Sequence, residues 1–296
     1  MSEDHPAEGE LAALFESRED VAFAALFGSA ATGRQTAESD VDIAVYFRSA
    51  AVSEGRRFID LEEVDETFPA EYDLWAACEN TVGRDVDLVV LNRAPATVGA
   101  AALLTGRLLA VNDRTLYRRY FNLVTLEAED FRGFVEDYVA VKKRSRSLSD
   151  VDRERLYRIV EFLRGELTEA DTYLGISHET YRTDGLLRRA SERWVENLVN
   201  ASIDLAKIVV ASQGKPVAQT YRGVLESLDD ISQFKGLGRP LAENARVRNA
   251  LAHEYLDLRY TQVSRAAEGA ESLYGRLVSA AEAWIDDTSS SRKETL

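Results

Sequence analysis

The chain has 296 residues, 45% apolar and 29% charged, a globular composition with room for two domains. Fifty-one acids against 36 bases leave a net charge of -15, which excludes a bulk polyanion-binding surface, because counterion release needs a basic face. One Cys and three widely separated His (His5, His178, His253) exclude a disulfide framework and a Cys-based zinc site, and no apolar run approaches the ~20 residues of a membrane span.

The first residues, MSEDHPAEGELAALFESRED, are acidic and lack the basic start of a secretory signal, so a cytoplasmic location is expected. VAFAALF (21–27), VDIAVYF (41–47) and DVDLVVLN (85–92) are short apolar runs bounded by Gly, Ser, Asp or Pro, and read as strands. Residues 53–68 carry helical spacing between the second and third strands. From about residue 97 the text turns helical, as in 116–144, 151–174, 193–214 and 243–258, with apolar residues three and four apart. Gly214 followed by Lys215-Pro216 is a helix stop. The expected organisation is a mixed α/β unit over 1–147 and an all-helical unit over 148–296. The basic, Ser-rich KKRSRSLSD (142–150) forms the seam, with an N-cap at Ser149 or Asp150, and a disordered tail begins at about 286. The seam reads equally as a solvated helix end or as an RNA-facing patch. The first half carries a net charge of -11 and the second -4, so a small RNA site fits the second half better. Only six of the bases are Lys, a bias that suits a high-salt interior and also follows from a GC-rich genome.

The first group of chemistry-bearing residues is GSAATGRQTAESDVD (28–42). Gly28 lets backbone approach a phosphate closely, and Ser29 adds a hydroxyl and an N–H. Asp40 and Asp42 share one face of an extended strand, and Asp87 heads a similar strand. Carboxylates held that close call for a cation, and Mg²⁺ takes oxygen ligands and is completed by substrate phosphates. Three carboxylates around metal suit in-line attack on a nucleotide α-phosphate. A bare D-x-D is common and reads alone as a strand-edge pair. The full order of strand, Gly-Ser, D-x-D, strand and a later Asp-bearing strand is far more demanding.

That order, from about Phe23 to Asn92, resembles the DNA polymerase β superfamily of nucleotidyltransferases, specifically its minimal (MntA-like antitoxin) branch. TGRLLAVNDRTLYRRYF (105–121) resembles the strand and helix that close such domains. The resemblance implies ATP as substrate, Asp40 and Asp42 as Mg²⁺ ligands, and Asp87 as a third carboxylate that also activates the acceptor hydroxyl. Gly28 and Ser29 would hold the triphosphate. Where such domains often read Ala-Arg-Gly, this chain has Ala-Thr-Gly at 31–33, which leaves Arg34 one position late as a phosphate contact.

The second group is RNALAHEY (248–255). Arg248 can hold a phosphate through paired hydrogen bonds, His253 can move a proton to or from a ribose oxygen, and Asn249 can orient either. In a regular helix, five residues put His253 about 140° around from Arg248, so a distortion or a dimer partner would have to complete the site. An arbitrary R-x(4)-H reads as a capping Arg and a satisfied His. The surrounding text is similar to a HEPN domain of the HepT type over about 150–275, including ERWVENLVNASIDLAKIVVASQGKPVAQTYRGVLESL (192–228) with its Asp204 and Gly-Lys-Pro turn. That resemblance implies an all-α bundle, a homodimer or higher oligomer, and a metal-independent endoribonuclease with Arg248 and His253 catalytic and Asn249 supporting. Tyr255 then stands where the partner nucleotidyltransferase attaches AMP in related toxin–antitoxin pairs.

The expected whole is a fusion: an α/β (α+β) nucleotidyltransferase domain with a small mixed sheet, followed by a helical HEPN ribonuclease acting on RNA, with Tyr255 as the target of self-AMPylation. Two other readings stand beside it. One is a nucleotidyltransferase acting on a small molecule such as an aminoglycoside, with the helical half binding substrate or dimerising. The other treats the helical half as a non-enzymatic dimerisation module. Trp75, Trp194 and Trp284 read as core or interface anchors and Cys78 as a buried hydrophobe, while His5 and His178 have no identifiable partner. Val195, Leu198, Ile203, Leu205, Ile208 and Val209 are expected to pack on the helix that carries Leu251.

Overall fold

The computed structural model describes residues 6–31, 40–48, 59, 61, 67–144, 148–253 and 256–293. The chain forms two compact units, 1–130 and 131–296.

The first unit opens with helix α1 (Pro6–Glu16), strand β1 (Val21–Leu26) and a single helical turn, α2 (Gly28–Ala31), followed by β2 (Val41–Phe47). Helix α3 (Glu71–Val82) leads into β3 (Val86–Val90), and α4 (Ala96–Thr105) into β4 (Arg107–Val111). The sheet order is β3-β2-β1-β4, with β1 antiparallel to both neighbours and β2 parallel to β3. This is the small mixed sheet expected from the sequence. Strand residues alternate between two cores. Ile43, Val45 and Phe47 face Leu11, Phe15, Leu74 and Cys78, while Ala44 and Tyr46 face Leu103, Leu116, Tyr120 and Val124. In β1 the alternation slips at Ala22-Phe23, which share one core, where the β1–β2 register is irregular. Asn92 closes the far end of β2, accepting from Phe47 N–H at 2.9 Å and donating to its carbonyl at 3.0 Å. The helix expected over 53–68 falls almost wholly outside the described residues.

Helix α5 (Arg114–Arg144) begins in the first unit, and its second half belongs to the other. The division at 130/131 therefore lies upstream of the basic stretch 142–150. The cause is apolar: Phe131, Phe134, Tyr138 and Val141 are buried in the helical core, so the chain changes partners before it changes character.

The helical unit continues with α6 (Asp150–Thr168), the short α7 (Ala170–Tyr173) and α8 (His178–Thr183), and the long α9 (Gly185–Ser212). After it come α10 (Tyr221–Glu226), two 3₁₀ turns, α11 (Gly238–His253) and α12 (Leu256–Lys293). Several starts are capped by side chains. Ser149 accepts from Asp152 N–H, Asp184 from Leu186 and Leu187, and Thr220 from Gly223. Helix α9 is the axis of the core: Val195, Leu198, Ile203, Leu205, Ile208 and Val209 are all buried, and Leu251 packs against the same cluster. Gly214, at φ +71, follows its end, as expected for a glycine stop. A charge network ties three helices together. Arg155 (α6) and Lys207 (α9) reach Asp137 (α5) at 2.7 and 2.9 Å, and the buried Asp152 (α6) takes Arg144 (α5) at 2.5 Å. The tail expected to be disordered from about 286 is helical as far as Lys293, continuing α12 beyond the buried Trp284 and Ile285.

Candidate active sites

Three strand ends assemble the first site. The chain leaves β1 through Phe27, whose N–H donates to the Asp42 carbonyl at 2.9 Å, and turns at Gly28 with φ +66. That left-handed conformation favours glycine, and a Cβ at Gly28 would lie 2.8 Å from Asp42 Cγ and closer still to its Oδ2. Residue 28 is therefore glycine for two independent reasons. Asp42 opens β2 and is paired in parallel register with Asp87 on β3. Burial pushes the Asp42 carboxyl above its usual range, and the negative charges of Asp87 and Asp40 push the same way; a hydrogen bond from the Ser29 backbone N–H opposes them.

The structure thus brings together Gly28, Ser29, Asp42 and Asp87, with Asp40 close enough to act on Asp42 electrostatically. Asp40 lies just outside the strand and is exposed, as is Asp87. Like charges crowding one half-buried carboxylate, in an all-oxygen donor set beside a glycine cradle, fit a hard divalent cation. Among the described residues, no three His, Cys, Asp or Glu side chains are drawn together as a complete metal cluster. Arg34 lies outside the described residues.

A pocket of about 460 Å³ opens beside β3, lined by Phe68, Pro69, Glu71, Tyr72, Trp75, Val86, Asp87 and Leu88. Trp75 Nε1 donates to the Val86 carbonyl at 2.9 Å, Glu71 pairs with Arg93, and Tyr72 is 72% exposed. Trp75 is therefore a wall of this pocket as well as an anchor. Sequence reading missed the pocket because its residues lie on both sides of the Gly83 turn.

The second site lies on α11. Three backbone N–H groups, of Gly236, Gly238 and Arg239, converge on the Asp229 carboxylate and fix where the helix starts; burial raises its pKa, but these bonds hold it below the usual range. Arg248 lies on the last turns, half-buried, with its guanidinium carbon 4.3 Å from the Tyr221 ring centroid. Tyr221 meets Phe131 and Phe134 edge-on, at 5.0 and 5.1 Å between centroids. Sequence reading assigned Tyr221 no part in the site, because it lies far from the motif along the chain. Asn249 and His253 belong to α11, but their side chains lie outside what the structure describes, as do Glu254 and Tyr255 entirely. Of the helix expected over 243–258, α11 runs to His253 and α12 starts at Leu256, and residues 254 and 255 lie outside the described residues.

Elsewhere, the Trp194 indole donates to the Glu166 carbonyl and Trp284 is buried near Phe234, both as anchors. Asp204 pairs with Lys207 at 2.9 Å. His178, for which the sequence suggested no partner, has Tyr260 at 4.9 Å between rings. Among the described residues no helix is long and apolar enough to cross a membrane.

Residues 9–115 match the family model described as Polymerase beta, Nucleotidyltransferase. Residues 163–272 match the one described as Ribonuclease HepT-like. No curated protein and no solved structure matches the chain.

Proposed function

Because this chain joins a polymerase-β-type nucleotidyltransferase domain to a HepT-like ribonuclease domain, we propose that the first domain modifies the second: AMP is transferred from ATP to Tyr255, and the modification restrains an endoribonuclease. The observation that carries this reading is the opposition of Asp42 and Asp87 across the β2–β3 ladder beside the Gly28 turn, on the same chain as the RNALAHEY motif.

In the transfer, the Tyr255 hydroxyl oxygen bonds to the α-phosphorus of ATP, the bond to the β-phosphate bridging oxygen breaks, and pyrophosphate leaves. Asp87 takes the phenol proton. Gly28 and Ser29 hold the departing phosphates through close backbone approach and N–H donation. Asp40, Asp42 and Asp87 would hold Mg²⁺, which when bound supplies charge neutralisation at the phosphates. In the helical domain, Arg248 binds the RNA phosphate and stabilises the charge that develops there. His253 moves the proton as the ribose 2′-oxygen bonds to phosphorus and the bond to the 5′-oxygen breaks, and Asn249 orients the pair. AMP on Tyr255 puts a second phosphate two residues from His253, repelling RNA and filling its path. Joining modifier and target in one polypeptide raises their effective concentration. Assembly of the HepT-like domain as a homodimer would complete the spacing between Arg248 and His253 that a regular helix leaves open.

Intact mass before and after Mg-ATP, for wild type and Tyr255→Phe, tests the proposal. AMP-sized increments in wild type alone are expected. No increment in either, from protein unmodified at the start, overturns it and moves the acceptor to a small molecule.

A further inference from the structure

We infer that Tyr221 is a positioning residue for the ribonuclease reaction, holding the Arg248 guanidinium in the attitude in which it receives an RNA phosphate; this rests on the ribonuclease half of the function proposed above. The geometry is a two-layer stack. Phe131 and Phe134, one turn apart on α5, meet the Tyr221 ring at 84° and 81°, so that ring is gripped from the α5 side. Arg248 lies over it at 4.3 Å. Tyr221 is 9% exposed and caps no helix itself; the neighbouring Thr220 side chain does that. Its aromatic face is thereby available to the arginine.

The chemistry explains why a ring suits this task. A ring attracts the cation through its quadrupole and leaves the charge in place. Arginine loses rotamer freedom on binding substrate, and a guanidinium already held on a wedged ring has less to lose. The wedge itself sits on α5, the helix that starts in the nucleotidyltransferase unit, so both units contribute residues to a helix whose far half steadies this arginine.

The test is a double-mutant cycle on the unmodified full-length chain, read as the cleavage rate of a short single-stranded RNA. Tyr221→Leu is expected to lower kcat at least 10-fold in the wild-type background and to have no further effect in Arg248→Ala. Tyr221→Phe, which keeps the ring, restores the rate to within about 2-fold of wild type. Phe131→Leu, a milder change, covers the case in which Tyr221→Leu does not fold, and is expected to give a partial loss that likewise vanishes in Arg248→Ala. Equal losses in both backgrounds, or no loss with a folded Tyr221→Leu, overturn the inference while leaving the ribonuclease reading intact. A wild-type chain that neither binds nor cleaves RNA overturns both.

Discussion

The α-carbon of Gly28 rests against the carboxylate of Asp42, and no other residue can occupy position 28 without moving that carboxylate. Gly28→Ala meets both obstacles at once, the left-handed φ and the collision. The backbone cost alone is about 1–2 kcal/mol. The expected outcome is loss of nucleotide transfer, seen as absence of the AMP mass increment, with a Tm only a few degrees lower.

Asp42 makes the pH dependence of the first domain unusual. Its carboxyl is raised above 3.8 by burial and by Asp87 and Asp40, so the folded state binds the proton more tightly than the unfolded chain. Its contribution is fully present below pH 3.8 and is lost as pH rises through the raised value; at neutral pH the ionised group opposes folding. Asp42→Asn should therefore raise the Tm at pH 7 in the absence of divalent cations. Mg²⁺ should raise the Tm of wild type and leave Asp42→Asn unmoved. Differential scanning fluorimetry with and without Mg²⁺ decides it.

Asp137 behaves oppositely. Burial alone would raise it, but hydrogen bonds from Arg155 and Lys207 pull it down to about 2. Its stabilisation is present above pH 3.8 and is lost as pH falls towards 2. Asp137→Asn should destabilise the chain by about 1–3 kcal/mol at pH 7, because it removes one of the two carboxylates, Asp137 and Asp204, that hold the buried Lys207 among the described residues. In urea unfolding, the gap between wild type and variant should close below pH 3.

Chelation should separate the two activities. EDTA is expected to abolish nucleotide transfer and to leave RNA cleavage by unmodified protein unchanged, since the cleavage proposed for Arg248 and His253 moves protons without a metal. Cleavage that also stops in EDTA would contradict the proposed division of labour. A gel assay on labelled RNA, paired with intact mass, reads both.

Cys78 should be silent. It is wholly buried, and burial pushes its thiol up to about 12, so almost no thiolate exists at pH 8. A thiol reagent should label it only after denaturant is added, making it a reporter of unfolding in the first unit.

Much of this molecule is legible in one dimension. VDIAVYF alternates strictly between two cores, and Val195 to Val209 on α9 show the helical repeat that buries them, so strand and helix follow from local spacing. Asp42 facing Asp87 could be anticipated as two strands each headed by Asp, yet it required parallel register between segments more than forty residues apart. The division at 130/131 was not legible. The text around it stays uniformly helical, and only burial of Phe131 and Phe134 in the second core shows where the chain changes partners. The helical continuation to Lys293 was hidden for a related reason: a polar stretch reads as a tail until it is seen to extend a helix already anchored by Trp284 and Ile285.

Residue types and local order were thus settled by the sequence alone: the glycine after a strand, the carboxylates at strand heads, the RNALAHEY motif, the caps and stops. Tertiary structure alone decided which of them meet. Gly28 lies against Asp42, burial and then like charges raise that carboxyl, and Arg248 meets the ring of Tyr221. Each is a through-space contact between segments distant along the chain, whose energy depends on packing and on the burial that packing imposes, and neither is encoded in spacing.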